Sequence, residues 1–539
     1  MTNTFRMFAA GSPRAAGWLS PSDFANNIGT RACVLRRALM AITLCVAAAC
    51  AQPSPRPANI IVVGMANSPT NFDPAIGLDE ASQKIHQLLY SSLLRIDEHL
   101  RVVPDLATSL EWPDPSTYIV TIPTGVRFHD GRELTVRDVA FTFRRFLEPD
   151  FVSGRKGAYR SLTAVDILDD QRVAFRLAEP SASFPINLVM GIVPDGTGVE
   201  AARQPIGSGP YRLASFIPDE STTLTPFEDH YRGAPKNAGL ILRVIPDETM
   251  RGLELRKGSI DIVVNDLSPD IVAGLQKATD VQVVTALGTD YAYMGFNLRD
   301  PALQDRRLRQ AIGYAVDTTA IVDHLRQGLA ATASGIVPPM SWAHNPETFR
   351  FTRDLDKARA LLDEAGYPDP DGDGPLPRLR LSLKTSTAEA YRLQAAVLQQ
   401  QLSEVGIALD LRSYEFATLF ADVIRGNVQL YTLQWVGVTD PDMLRRVFHS
   451  AQVPPAGFNR GYYRNPEVDR LIDAATEALS EPERVVLYAQ IQEIIANDAP
   501  YISLWYKTNV AVAQPHLTGI TLSATAEFTF LQHVAPRSE

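Results

Sequence analysis

A chain of 539 residues exceeds what one hydrophobic core organises and implies two or three domains. Apolar residues make up 45% and charged residues 21%, which excludes a disordered or fibrous chain. The formal charge of −10 excludes a nucleic-acid binder working through a basic face and leaves small molecules or other proteins as partners.

In chain order, an export signal comes first. Arg36 and Arg37 precede the mostly apolar stretch Ala38 to Ala49, which ends in Ala47-Ala48-Ala49-Cys50. A basic region, a short apolar region and a small-residue cleavage site describe a secretory signal. Such a stretch reaches only about 18 Å as a helix, short of the roughly 30 Å of hydrocarbon that a membrane span must cross. The ending resembles the bacterial lipoprotein cleavage box, so Cys50 is expected to become a lipidated first residue anchored in the membrane; Ala47 stands where a larger aliphatic is commoner. Residues 1–49 are read as signal preceded by an over-extended start, with initiation near Val34, and 50–58 as a proline-rich tether. Removing 1–49 leaves a net charge of −14 and no cysteine pair, hence no disulfide and no cysteine metal site.

The folded part reads as α/β. Asn59 to Met65 is an apolar run of strand length. Tyr118 to Ile122 alternates, Pro123-Thr124-Gly125 turns, Val126 to Phe128 alternates again, and Asp130-Gly131 makes a second turn. Thr135 and Asp138 form a capping box before a helix with Val136, Val139, Ala140, Phe143, Phe146 and Leu147 on one face. Asp354 to Ala365 is helical, with Gly366 and Pro368 ending it. Leu379, Leu381 and Leu383 alternate, a helix follows from about Ala388 to Val405, and Ile407, Leu409 and Leu411 alternate after Gly406: a βαβ unit, hence a parallel pair. Asn465 caps a helix beginning at Pro466, with Val468, Leu471, Ile472 and Ala475 inward.

Catalytic and metal motifs fail on their context. Gly196-Thr197-Gly198 with Ala201 lacks the βαβ setting of a dinucleotide site. Asp369, Asp371, Asp373 and Gly374 open like a calcium loop, but Arg380 stands where the bidentate Glu belongs. Gly207-Ser208-Gly209 is not a nucleophile elbow. His129-Asp130 reads as surface turn chemistry, and the nine histidines contain no H-x-x-x-H pair. No enzyme, cofactor or metal is expected.

Gly125 to Phe143, GVRFHDGRELTVRDVAFTF, closely resembles the signature of the dipeptide/oligopeptide/nickel class of solute-binding proteins of ABC importers, solute-binding family 5. Phe72-Asp73-Pro74, Val103 to Ala107, PIGSGPYRL from Pro205, YMGFNLRDPALQDRRLRQAIGYAVD from Tyr293, Asp354 to Pro368 and RNPEVDRLIDAA from Arg464 continue the resemblance in family order. It implies a fold of the periplasmic-binding-protein type II kind: two α/β lobes with hinge crossings, plus an extra domain in the first half. By similarity, lobe I comprises 59–90, 206–297 and 500–539, the extra domain 91–205 and lobe II 298–499, with crossings near Asn297 and Pro500. The implied protein is an exported, envelope-located monomer that holds a small solute, a peptide by default, between its lobes and delivers it to a membrane permease; opines, oligosaccharides, conjugates and nickel chelates, or a receptor-adaptor role, are the alternatives.

Site residues follow from the same alignment. Trp435 matches a cleft tryptophan that packs on ligand, Tyr159 a second cleft aromatic, and Gly77 to Ser82 the first-lobe loop that touches ligand through Gly77, Leu78 and Ser82. Asn297, at the expected crossing, is carried over as a further ligand-binding position, with a structural role as the alternative. One position departs from the pattern: peptide-binding members usually carry an Asp three residues after this tryptophan, facing the peptide α-ammonium, and here stands Val438, followed by Thr439 and Asp440. A buried ammonium without a counter-charge is costly. The expectation is therefore little gain from a free amine, unless Asp440 takes the role.

Overall fold

The structure, a computed structural model, describes residues 59–277, 281–372, 374–478 and 480–537. The expected signal, tether and lipidated Cys50 lie outside the described residues. Eleven strands share one sheet, in the order Ile407–Tyr414, Leu379–Ser386, Leu430–Trp435, Gln282–Phe296, Tyr501–Ala513, Ile262–Val264, Ile60–Met65, Gly239–Val244, Ser221–Pro226 and Tyr211–Ile217, with Ala330–Thr332 pairing on Tyr501–Ala513. Ile60–Met65 is an unbroken apolar run because it lies in parallel between Gly239–Val244 and Ile262–Val264 and is covered on both faces.

Between Tyr90 and Pro205 the chain builds a separate antiparallel sheet, ordered Ser109–Asp114, Thr117–Thr121, Arg172–Leu177 and Leu162–Ile167. Helix Val136–Arg144 packs on it with the expected capping box, burying Phe143 against Phe175 and Tyr159. Phe146 and Leu147 fall in a following 3-10 turn, Arg145–Leu147. The expected strand at Val126 to Phe128 reduces to one bridge, Arg127 to Glu133, because the chain reverses at once and Phe128 bonds Arg132 instead of a neighbouring strand. His129 is also more than turn chemistry. Its Nδ1 accepts from the Gly207 amide at 3.2 Å and its Nε2 meets the Gly209 carbonyl at 3.1 Å, which ties the signature turn to the PIGSGPYRL loop. A buried ion pair, Arg145 to Asp73 at 2.5 Å, fastens the loop after Ile60–Met65 to this small domain.

The second half follows its sequence closely. Leu379–Ser386, helix Glu389–Ser403 and Ile407–Tyr414 form the expected βαβ unit, Leu379 facing Ile407. Asp354 and Asn465 cap helices Leu355–Glu364 and Pro466–Glu477. One face of the sheet buries Met294, Phe296, Ile312 and Leu398; the other buries Tyr293, Tyr431, Ile472 and Ile491. Among the described residues no helix is long and apolar enough to cross a membrane.

The two halves of the large sheet are joined by its two longest strands. Gln282 to Leu287 pairs with Ala513 to Thr508; the ladder then slips, and Tyr291 to Gly295 pairs with Tyr506 to Tyr501. Ile262–Val264 takes the first part of this ribbon and Leu430–Trp435 the second. This slip is the crossing between the two halves of the sheet, and Asn297 and Pro500 flank the outer ends of the strands. The strands run through it unbroken, so only the ladder marks it.

Candidate functional site

Gly288 stands at the slip. A Cβ there would lie 2.7 Å from the Lys507 carbonyl and 3.0 Å from Asn509 Oδ1, so the close approach of the strands requires glycine. Asn509 ties the first half to the crossing. Its Oδ1 accepts from Asn265 at 3.1 Å, and its Nδ2 donates to the carbonyls of Ser523 and Ala524. On the other side Asp290 accepts from Gln434 Nε2 and the Gly437 amide, both at 2.9 Å, while the Val438 amide donates to the Thr289 carbonyl. The loop after Trp435 is therefore pinned to the crossing. The helix that follows the Gly77 loop is close as well: burial raises the Glu80 carboxyl, but the charges of Lys84 and Lys507 outweigh it and hold that carboxyl below its usual range.

Of the residues singled out in the sequence, some reach this crossing and some do not. Trp435 does, but its indole is engaged: the Arg460 guanidinium sits 4.3 Å from its ring, Tyr293 lies parallel at 6.3 Å, and Phe458 meets its edge. Its Nε1 is buried without a partner. Beside it Val436 is 76% exposed. Val438, expected in the cleft wall, is 1% exposed and belongs to the core with Leu444 and Val447. The chain turns after the strand ends at Trp435, with Gly437 at φ +67°, so alternation from the tryptophan no longer gives side-chain direction. Thr439 and Asp440 remain partly exposed.

In the first half, Leu78 is exposed, whereas a Cβ on Gly77 would strike the Asn71 carbonyl. Ser82 is fully buried, accepting from the Thr70 and Asn71 amides and donating to Asp79, so it shapes the loop and offers ligand nothing. Tyr159 is a core residue of the small domain, stacked on Phe146 at 3.9 Å with its hydroxyl on the Asn187 carbonyl. Asn297 spends its Nδ2 on the carbonyls of Gly426 and Val428 and is structural.

The small domain meets the second half beside Asp440. The Trp342 amide donates to the His99 carbonyl at 3.0 Å, and Arg101 forms a bidentate pair with Glu481, the nearest distance being 2.8 Å. Burial raises the Tyr118 phenol, on which Arg484 and Asp440 act with opposite signs. Asp440 makes no ion pair among the described residues; its Oδ1 accepts the Asp442 amide at 2.7 Å. Burial pushes its carboxyl up, with that amide, Arg484 and Arg446 opposing. Burial and then the Asp440 charge push Asp442 up to about 7. The result is a carboxylate pair in which Arg445 reaches Asp442 at 4.0 Å while Asp440 has no ion pair among the described residues. Sequence reasoning missed Asp290, Arg460, Arg484 and Trp342, whose importance comes from contacts across the fold. Among the described residues no group of three or more His, Cys, Asp or Glu could hold a metal.

Comparison with known proteins gives the same frame. Residues 101–453 match the family model for bacterial extracellular solute-binding proteins, family 5 middle. The oligopeptide-binding protein AppA of Bacillus subtilis is 31% identical over 488 residues, covering 86% of this chain and 89% of AppA. The structure of B. subtilis AppA in complex with a nonapeptide matches with a TM-score of 0.71 at 28% identity, over 90% of this chain and all of that one. NikZ from Campylobacter jejuni, in complex with Ni(L-His), matches with a TM-score of 0.73 at 26% identity, over 89% of this chain and all of that one.

Proposed function

The chain belongs to the bacterial extracellular solute-binding proteins of family 5, whose members bind rather than transform their solutes, and from that premise we propose that it captures a peptide between two lobes and delivers it to the permease of an ABC importer. Lobe I takes 59–90, 206–288 and 508–537, the small domain 91–205 and lobe II 289–507, with the pivot at Gly288 and Lys507. The protein acts as a monomer held at the membrane through a lipid on Cys50.

The observation that carries this reading is Asp440, a carboxylate without an ion pair at the edge of lobe II beside the small domain. In the empty protein, burial favours its neutral form. A peptide α-ammonium brings the missing charge, and closure removes the new pair from water, where a charged hydrogen bond is stronger. The resemblance to peptide binders is then met two positions beyond Val438. Truncating one partner of such a desolvated pair typically costs about 2–5 kcal/mol, so blocking the amine weakens binding by at least tenfold.

Calorimetry with peptides selected from a library, each in free and N-acetylated form, tests this on the wild type and on Asp440→Asn. The wild type prefers the free amine and Asp440→Asn loses the preference. Equal affinity of the wild type for both forms would remove Asp440 from recognition.

A further inference from the structure

A cavity of about 600 Å³ opens at the C-terminal end of the helix Glu80–Leu89, where Gln87 and Tyr90 line it, and none of the residues Trp435 to Asp440 does. Its walls are Leu94 to Glu98 with Asp105, the loop at His230 to Arg232, and the C-terminal stretch from Thr521 to His533. Leu94, Ile96, Leu522 and Phe530 give it apolar sides. The volume falls within the roughly 300–1,000 Å³ typical of small-molecule sites.

Its charges are unevenly answered. Arg232 pairs with Asp105 at 2.5 Å across the cavity. Arg95, exposed on the hairpin, and Glu527, half-buried on the C-terminal stretch with its carboxylate hydrogen-bonded to Thr525, make no ion pair among the described residues. Burial raises both carboxyls, and the Asp105 charge raises Glu527 further while Arg95 draws it down, so the three groups feel one another without touching. His230, 7% exposed, bonds the Gly233 carbonyl through Nδ1. A half-buried acid and an exposed base, neither in an ion pair among the described residues, thus face a space with apolar sides. A simple cation would leave Arg95 unanswered, and a simple anion would leave Glu527 so.

We propose that this cavity is a second ligand site for a small α-amino zwitterion, its ammonium on Glu527 beside Asp105 and its carboxylate on Arg95. The site goes beyond the inter-lobe capture of peptide and is independent of it. L-phenylalanine is a suitable probe, with phenylalaninamide lacking the carboxylate charge and N-acetylphenylalanine lacking the ammonium. Titration of the mature chain by calorimetry, with saturation-transfer NMR for weak binding, reads the affinity of each.

Phenylalanine should bind saturably at one site, both blocked forms at least tenfold more weakly. Glu527→Gln and Arg95→Ala should each lose at least tenfold for phenylalanine while leaving the affinity for inter-lobe peptide unchanged. Asp440→Asn should do the reverse. Absence of saturable phenylalanine binding at millimolar concentration, equal binding of either blocked form, or loss of binding in Asp440→Asn but not in Glu527→Gln would overturn the assignment. Failure of the peptide titration alone would fall on the inter-lobe reading instead.

Discussion

Replacing Asp73 by Ala should be among the most damaging single changes in the protein. Asp73 accepts from the Arg145 guanidinium at 3.3 and 2.5 Å and from the Ala75 amide at 2.9 Å, and both partners of the ion pair are buried. Without the carboxylate, Arg145 keeps, among the described residues, the ring faces of Phe151 at 4.5 Å and Phe141 at 6.0 Å. Breaking a buried pair from one side costs about 3–5 kcal/mol, because a charge is left uncompensated. At about 2–4 °C per kcal/mol for domains of moderate size, the transition that includes the small domain should fall by roughly 6–20 °C. The double variant Asp73→Leu, Arg145→Met removes both charges and should recover most of the loss. Thermal unfolding of the wild type, Asp73→Leu, Arg145→Met and the double variant, followed by circular dichroism, measures the coupling, with Asp73→Ala run alongside. An Asp73→Ala protein within about 1 kcal/mol of the wild type would refute the reasoning, since that is the scale of an exposed pair.

Gly288→Ala places a Cβ against the Lys507 carbonyl, which is backbone and cannot step aside; overpacking of this kind costs about 1–3 kcal/mol, and both urea stability and peptide affinity should fall. Asp442 titrates at about 7 in the fold against an ordinary 3.8, so its contribution is present below about pH 4 and is lost as pH rises through 7. Asp442→Asn should therefore raise the melting temperature at pH 8 and remove that slope from a pH series of melts. His129 acts in the opposite sense: burial lowers it to about 4, so its contribution is present above about pH 6.5 and is lost as pH falls towards 4, where protonation breaks the Gly207 bond; His129→Asn should flatten the acid limb of the same series. Cys50→Ala should move the protein from the membrane to the soluble envelope fraction, because several acyl chains anchor where one is marginal; a wild type already soluble there contradicts the anchor.

The sequence was informative where structure is local. The capping box at Thr135 and Asp138, the βαβ unit around Glu389–Ser403 and the Asn465 cap all depend on neighbours in the chain, and all are observed. It was silent at the crossing, because Gly288 and Lys507 meet only in the folded sheet and neither interrupts its own strand. Trp435 ends its strand, and the turn at Gly437 sends Val438 inward, which alternation along the sequence does not show. Tyr159, Ser82 and Asn297 use their hydrogen bonds and ring contacts inside the fold, which their aligned positions alone do not reveal.

The central claim is that peptide binds between the halves that pivot at Gly288. Small-angle X-ray scattering of the mature chain, with and without a saturating peptide, tests it most directly. The radius of gyration should fall towards the roughly 23 Å of a compact chain of this size, with the peptide recovered chemically unchanged. A radius of gyration that stays constant with peptide stoichiometrically bound would contradict capture by closure.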